Sequence, residues 1–292
     1  MGVGRPIRLG SISTCQSTTT KQQLRLLSSS SPLNDSRTPS PTKPATANLS
    51  PRWLSDTKQR IGKCITFGMN AQQTDEAGSI LREIARDWRE LLAGSEGFLT
   101  SKERRGLYRQ EVVWGEQDVM GHVNNVTYNR YAESARILWA QRYARDIDPA
   151  HALEWGQLWT PSGDGLILRS IRTDYKFPMK FPDKVTVYHK LATRPTDDMD
   201  AFVLDALILS EVHQRPAARC VEDLVVYDYR KGKKRSLPPF MADVFKETWR
   251  LQEEAKKRNS ERVNHLLGRV RSLEQDTWDR SDAVEDLGSA KS

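Results

Sequence analysis

Four β-rich runs in the second half of the chain constrain its fold more than any other feature of the sequence. They span residues 166–177, 184–193, 202–213 and 217–229. Three short segments rich in turn-forming residues separate them: FPMKFPD, RPTDDMD and HQRP. Runs of this length between turn signals are typical of consecutive antiparallel strands. This part of the chain is therefore predicted to form an antiparallel sheet.

A long helix is predicted immediately before these runs, from Asn125 to about Arg145. It follows a segment, residues 108–118, that is predicted to be a strand interrupted by Gly115. One face of the helix is apolar and carries Tyr128, Ala132, Ala135, Trp139 and Tyr143. Such a helix is too apolar to lie on the outside of a domain. The order of elements predicts an α+β fold in which the antiparallel sheet wraps around the long helix.

Helical patterns flank this domain on both sides. Residues 77–93 carry apolar side chains at helical spacing, and Gly94 is a natural stop. This stripe is expected to dock on the domain that follows. From Pro239 to about Thr277 the chain is again predicted to be helical, and four of its apolar residues follow heptad spacing: Val263, Leu266, Val270 and Leu273. That helix either packs back on its own domain or meets another chain.

The first fifty residues have the composition of a mitochondrial transit peptide. They contain six basic residues against one acid, Asp35, and are crowded with serine and threonine. A generic disordered tail is the alternative. Residues 52–63 are either a second piece of the presequence or a short helix of the mature protein. The predicted organisation is a transit peptide and disordered linker (1–75), a helical extension (76–105), the central domain (106–239), and a C-terminal helical extension and tail (240–292).

The remaining composition narrows the class of protein only slightly. The net charge of +7 permits contact with phosphates, nucleic acid or an anionic membrane but diagnoses none of them. The three cysteines, Cys15, Cys64 and Cys220, stand far apart, which indicates neither a disulfide framework nor a zinc site. No apolar run is long enough to predict a membrane span. A reducing compartment, the mitochondrial matrix, is the predicted location.

The junction between the first predicted strand and the long helix carries the chemical groups. Residues 118–125 read DVMGHVNN and contain an acid, a glycine, an imidazole and two amides. With the helix behind them, these residues resemble the hotdog-fold thioesterase superfamily that includes 4-hydroxybenzoyl-CoA and acyl-CoA thioesterases. The positions that carry the resemblance are Asp118, Gly121, His122, Val123, Tyr128, Glu133, Ala135 and Arg136.

The resemblance covers roughly residues 106–239 and implies an acyl-CoA thioesterase-like hydrolase with a hotdog fold, of a fungal mitochondrial type. Coenzyme A would enter as part of the substrate, and no separate cofactor is implied. Members of the family join their sheets edge to edge, with sites between subunits, so a homodimer or higher homo-oligomer is expected. The sequence contains no rival nucleophile elbow, phosphate-binding loop or zinc-protease motif.

The resemblance assigns roles to the residues of this junction. Asp118 would attack the thioester or activate a water, and the backbone N–H of Asn125, beside that of Asn124, would hold the oxyanion. Gly121 would let the backbone approach the ligand. The alternative for Asp118 is a turn or capping residue.

Three further side chains of the junction are candidates with less defined roles. Tyr128 is expected on the substrate side. Relatives that act on acyl carrier proteins have Asp-x-Asn-x-His in this turn, whereas this sequence has Met120 at the Asn position. His122 would therefore contact the substrate or pin the turn. Glu133 would position a water or pair with Arg136 along the helix.

Five cations fill six residues after the last predicted strand: Arg230, Lys231, Lys233, Lys234 and Arg235. The first three are the candidates for binding the phosphates of coenzyme A. The same turn could contact RNA or could be a solvated loop. The alternative function is therefore a non-catalytic hotdog protein that acts as a mitochondrial assembly or RNA-associated factor. The sequence favours the enzyme because no aromatic platform for nucleic acid accompanies the cations.

Overall fold

The structure is a computed structural model that describes residues 49, 50 and 52–286. The predicted transit peptide falls largely on residues 1–48, which lie outside the described residues. The helices are α1 (Trp53–Thr66), α2 (Ala71–Arg89), α3 (Asn125–Arg142), α4 (Ala152–Gln157) and α5 (Pro239–Asp276). The strands are β1 (Gln110–Glu111), β2 (Asp164–Tyr175), β3 (Lys184–Leu191), β4 (Ala201–Ser210), β5 (Arg215–Asp228) and β6 (Lys233–Lys234).

The strands form one antiparallel sheet in the order β1-β3-β4-β5-β2, and the short β6 pairs with the end of β5. The four long strands β2 to β5 match the four predicted β-rich runs to within a few residues. β2 lies at the edge of the sheet, where it pairs with β5 along one side. The predicted antiparallel sheet is confirmed, but only β3, β4 and β5 pair in sequence order, because β2 pairs with β5 and not with β3.

Helix α3 packs on the inner face of this curled sheet, as the hotdog prediction requires. Its buried side chains include Tyr128, Ala132 and Ala135, which share a core with residues of β3, β4 and β5. The alanines leave room for the sheet to approach the helix axis closely. Trp139 near the end of α3 and Tyr143 in the turn that follows join a second core with the first turns of α5. The α+β hotdog fold predicted from the sequence is confirmed.

The predicted strand over residues 108–118 is wrong. Only Gln110 and Glu111 pair with β3, and a 3₁₀ turn, Trp114–Glu116, follows them. The Glu116 carboxylate accepts a hydrogen bond from the Val113 N–H at 2.9 Å and another from the Tyr131 hydroxyl at 2.6 Å. This side-chain capping closes the turn and ends the strand.

The outer face of the sheet is covered by a bundle of α1, α2 and the C-terminal half of α5. These helices share one apolar core with Tyr188, Leu207 and Leu209 of the sheet. The predicted docking of residues 77–93 is thereby confirmed. All four heptad residues of α5 are buried in this core, so α5 packs back on its own chain. The bundle also contains α1, and the predicted boundary at residue 75 lies inside α2.

Ion pairs tie α5 to its two neighbours in the bundle. The Arg60 guanidinium donates two hydrogen bonds to the Glu274 carboxylate, at 2.6 and 2.8 Å, and Glu274 is almost fully buried. Arg269 donates to Glu76 at 2.6 Å. These hydrogen bonds hold the pKa values of Glu274 and Glu76 below their ordinary range.

The bundle should consequently lose stability in acid. A carboxylate whose pKa is lowered by folding stabilises the folded state fully above its unfolded pKa, about 4.3 for glutamate, and loses that contribution as the pH falls through the lower folded value. We expect Glu274→Gln to lower the thermal midpoint at pH 7, with a smaller difference from the wild type at pH 3, because the lowered pKa of Glu274 places the loss of its contribution below the ordinary range. Thermal melts across this range check the prediction, with the exposed Glu253→Gln as the control. An equal difference at both pH values would contradict it.

Candidate active site

A narrow backbone hairpin brings the predicted site residues together. The Asn124 N–H donates to the Glu116 carbonyl, and the Asp118 N–H donates to the His122 carbonyl, both at 2.8 Å. Between these two contacts, Gln117 and Val123 form an isolated antiparallel bridge. Residues 119–121 make the tip of the hairpin, and α3 begins directly after it. The hairpin therefore places Asp118 opposite His122, which lies three residues before α3 begins.

Asp118 is half-buried and keeps an oxygen free for chemistry. Its Oδ1 accepts a hydrogen bond from the Met120 N–H at 2.8 Å, an arrangement typical of aspartate in turns. Among the residues that the structure describes, its Oδ2 has no hydrogen-bond or ion-pair partner. One oxygen thus fixes the carboxylate on the turn while the other can accept a proton or attack a carbonyl.

The N-terminus of α3 presents one unoccupied backbone donor. The Val126 N–H donates to the Asn124 side-chain oxygen at 3.1 Å, and the Thr127 N–H donates to the Asn124 carbonyl at 2.9 Å. The Asn125 N–H has no acceptor within residues 52–286. The first N–H groups of a helix carry the positive end of its dipole, so they stabilise negative charge. Asn124 is therefore the N-cap, and its own N–H is occupied by the Glu116 carbonyl, so of the two backbone donors predicted here the Asn125 N–H alone is left open.

The backbone conformation gives a reason for Gly121 in addition to the one predicted. Its φ is +69°, in the left-handed region, and a Cβ added there would meet nothing within 4 Å. The backbone conformation therefore favours glycine here, and the close approach of Gly121 to a ligand stays a prediction.

Replacing Gly121 by alanine should cost about 1–2 kcal/mol of stability, because an L-residue is strained in this conformation. Gly115 offers a matched control: it is equally open, and its φ is not positive. Chemical unfolding of Gly121→Ala and Gly115→Ala checks the prediction. Equal stabilities for the two variants would show that the tip of the hairpin is not strained.

Tyr128 has its hydroxyl on the backbone of the neighbouring loop. The hydroxyl accepts a hydrogen bond from the Met179 N–H at 3.0 Å and lies 3.5 Å from the Phe177 carbonyl oxygen. Burial raises the pKa of this phenol. The loop also contacts the hairpin, through the Val123 N–H and the Met179 carbonyl at 2.8 Å. Tyr128 therefore anchors the loop that contacts the hairpin.

Two other predicted site residues, His122 and Glu133, make fewer side-chain contacts than Asp118 and Tyr128. His122 is half-buried, and its ring has no hydrogen-bond partner among the described residues; its carbonyl secures the turn. Glu133 is exposed. Its predicted pairing with Arg136 is wrong, since Arg136 is buried and bonds Glu222 of β5 at 2.5 Å. A buried arginine pairs with a carboxylate inside the core in preference to one on the surface.

The basic turn after β5 is largely neutralised by neighbouring acids. Arg230 and Lys231 lie within 3.6–3.8 Å of Asp228, and Arg235 bonds Asp164 at 2.5 Å. Lys234 lies 3.8 Å from Asp200. Lys233 has no ion-pair partner in the part of the chain that the structure describes. Only a fraction of the charge predicted for phosphate binding is thus free.

The sequence motifs did not reveal Tyr175, Thr173 or Glu116 as neighbours of the helix N-terminus. The Tyr175 hydroxyl donates to the Asn125 carbonyl at 3.1 Å, and the Thr173 hydroxyl donates to the Asn129 side chain at 2.5 Å. Both residues lie on the edge strand β2, some fifty residues along the chain from α3. No short-range pattern in the sequence indicates such contacts.

Other kinds of site find little support. Within the described residues, no three histidine, cysteine or acidic side chains are grouped as a metal site would require, and no helix has the length and apolarity to cross a membrane. Two grooves of about 280 and 440 Å³ lie along α5, and none of the predicted site residues lines them.

A family model described as the Thioesterase-like superfamily matches residues 112–245 of this chain. Those residues are therefore similar to a thioesterase-like domain. The match includes the hairpin, the central helix and all four long strands. No curated protein matches the chain.

Several solved structures are similar to this chain. A thioesterase from Thermus thermophilus, crystallised with coenzyme A and Zn, is 24% identical over 53% of this chain and 96% of its own, with a TM-score of 0.40. A DHNA-CoA thioesterase from Staphylococcus aureus is 20% identical over 49% and 90%, with a TM-score of 0.39. A 1,4-dihydroxy-2-naphthoyl-CoA thioesterase from Synechocystis is 17% identical over 51% and 94%, with a TM-score of 0.37.

Proposed function

We propose that this protein hydrolyses acyl-CoA thioesters at the hairpin that precedes α3. The proposal depends on one observation: a half-buried aspartate with an unpartnered carboxylate oxygen lies on the hairpin that leads directly into a helix N-terminus, where the Asn125 N–H has no acceptor within residues 52–286. A thioester carbonyl seated between these groups meets a base or nucleophile on one side and an oxyanion donor on the other. The match of residues 112–245 to the thioesterase-like family supports this reading.

The reaction can proceed by either of two balanced routes. In the first, Asp118 takes a proton from water while the oxygen of that water bonds the thioester carbon. The Asn125 N–H then holds the resulting oxyanion, and the C–S bond breaks as the thiolate takes the proton from Asp118. In the second, Asp118 itself bonds the carbon and expels the thiolate, and water cleaves the resulting anhydride. Both routes release a free acid and coenzyme A.

We also propose that the protein is mitochondrial and forms a homodimer or higher homo-oligomer. Assembly along the β2 edge would place a second subunit next to Tyr175 and the helix N-terminus. The basic, acid-poor composition of the first fifty residues supports import into mitochondria. In the basic turn, Lys233 would bind the coenzyme A phosphates, whereas Arg230 and Lys231 are already paired with Asp228.

An acyl-CoA panel tests the proposed activity. The purified protein is incubated with short, long and aromatic acyl-CoAs, and the released thiol is detected directly. We expect turnover of at least one member, with free acid formed in equal amount. If no member is hydrolysed above the uncatalysed rate, the proposed function is wrong.

The alternative, an RNA-associated assembly factor, makes a different prediction. Six of the 45 basic residues and one of the 38 acidic residues lie in residues 1–48, and one more basic residue lies in 287–292, which leaves 38 basic and 37 acidic residues between them. A nearly neutral domain offers little of the charge that drives binding to nucleic acid. Salt-sensitive sedimentation with RNA that disappears when residues 230–235 are neutralised would favour the alternative.

A further inference from the structure

The edge strand β2 contacts the first two turns of α3 through two hydroxyl groups. The Tyr175 hydroxyl donates a hydrogen bond to the Asn125 carbonyl at 3.1 Å, and the Thr173 hydroxyl donates to the Asn129 Oδ1 at 2.5 Å. The two side chains are two residues apart on one strand, so they point to the same face of the sheet, toward the helix. The strand therefore contacts the helix where the oxyanion donor is located.

The Tyr175 contact is not needed to satisfy the helix backbone. A carbonyl in the first turn of a helix already accepts the N–H four residues later, and its second lone pair can remain free or bind water. Nor does Tyr175 serve mainly as core packing, because 47% of its surface is exposed. Its ring lies edge-on to Tyr128, with the centroids 5.4 Å apart. Because Tyr175 is exposed and its hydroxyl bonds a carbonyl that is already hydrogen-bonded, this contact fixes the position of the helix turn more than it stabilises the core.

We propose that Tyr175 and Thr173 are positioning residues that hold the first two turns of α3, and with them the Asn125 N–H, in the orientation that the oxyanion requires. This inference rests on the proposed thioesterase function. Neither side chain needs to touch the substrate: each acts through the helix turn. Catalysis is sensitive to such positioning, since a displacement of about 1 Å can slow a reaction on the order of 100-fold.

The test compares kcat with KM in matched variants of the full-length protein. Tyr175→Phe removes only the hydroxyl, and we expect kcat to fall about tenfold, as for the loss of one orienting hydrogen bond, with KM within about twofold of the wild type. Thr173→Val should also lower kcat, whereas Thr173→Ser, which keeps the hydroxyl, should have a kcat close to that of the wild type. Tyr229→Phe is the control, because Tyr229 is similarly exposed (40%) and packs on Tyr227, with no hydrogen bond to α3.

Hydrogen exchange of the α3 amides gives a second readout that does not depend on activity. Tyr175→Phe should speed exchange in residues 125–130 and leave α5 unchanged. If the wild type proves inactive, faster exchange would uphold the contact and refute only the proposed function. Unchanged exchange would overturn the positioning role in any case. A drop in kcat without faster exchange would also overturn the positioning role, because Tyr175 would then act on the substrate directly. Faster exchange with an unaltered kcat would overturn it as well.

Discussion

Replacing Asp118 by asparagine should lower kcat for thioester hydrolysis by at least about 100-fold, because a positioned general base or nucleophile contributes 10²–10⁴-fold. Asparagine is nearly isosteric, and its amide oxygen can still accept the Met120 N–H that Asp118 Oδ1 accepts in the structure. The hairpin should therefore keep its shape while its proton acceptor is lost. Initial rates at saturating substrate measure the effect.

Two controls make this result interpretable. The thermal midpoint of Asp118→Asn should stay close to that of the wild type, which separates loss of chemistry from loss of folding. Asp243→Asn removes an exposed carboxylate from α5 and should leave the rate unchanged. A rate for Asp118→Asn within about threefold of the wild type would mean that Asp118 is a turn residue without a chemical role.

Replacing Arg136 by methionine should lower the free energy of unfolding by about 3–5 kcal/mol, because it leaves a buried carboxylate without its partner. Arg136 on α3 is 5% exposed and Glu222 on β5 is fully buried, with 2.5 Å between Nη1 and Oε1. The His189 ring, also buried, lies 3.3 Å from the other carboxylate oxygen. Urea unfolding at pH 7 gives the free energy directly.

A second substitution distinguishes lost charge pairing from lost packing. In Arg136→Met with Glu222→Leu, neither charge remains, and replacing a whole buried pair with apolar side chains is often neutral or stabilising. The double variant should therefore be more stable than Arg136→Met alone. If the two variants are equally unstable, the loss comes from packing between α3 and β5. A single variant within about 1 kcal/mol of the wild type would contradict the prediction itself.

The parts of the fold that were predicted from the sequence depend on local signals. β2 to β5 are continuous β-rich runs with turn residues between them, and α3 has a helical stripe after an asparagine cap. The failure at residues 108–118 has a long-range cause. Glu116 closes its turn by bonding Tyr131, which lies fifteen positions farther along the chain. The periodicity of the sequence does not indicate such a contact.

The candidate site shows the same division between local and distant determinants. Asp118, Gly121 and the first residues of α3 are contiguous in the chain, so one segment was enough to indicate them. The contacts from Tyr175 and Glu222 arise only when the sheet folds against α3. The pairing of Glu133 with Arg136 was plausible from helical spacing alone, and a carboxylate 86 positions away displaced it. Likewise, Asp164 and Asp200 reach the basic turn from other strands and loops.

The decisive measurement follows the release of free coenzyme A by wild-type and Asp118→Asn protein side by side, on the best acyl-CoA of the panel. We expect steady thiol release by the wild type and a rate at least about 100-fold lower for the variant at an unchanged thermal midpoint. Equal rates for the two proteins, or no release by the wild type from any acyl-CoA, would contradict it.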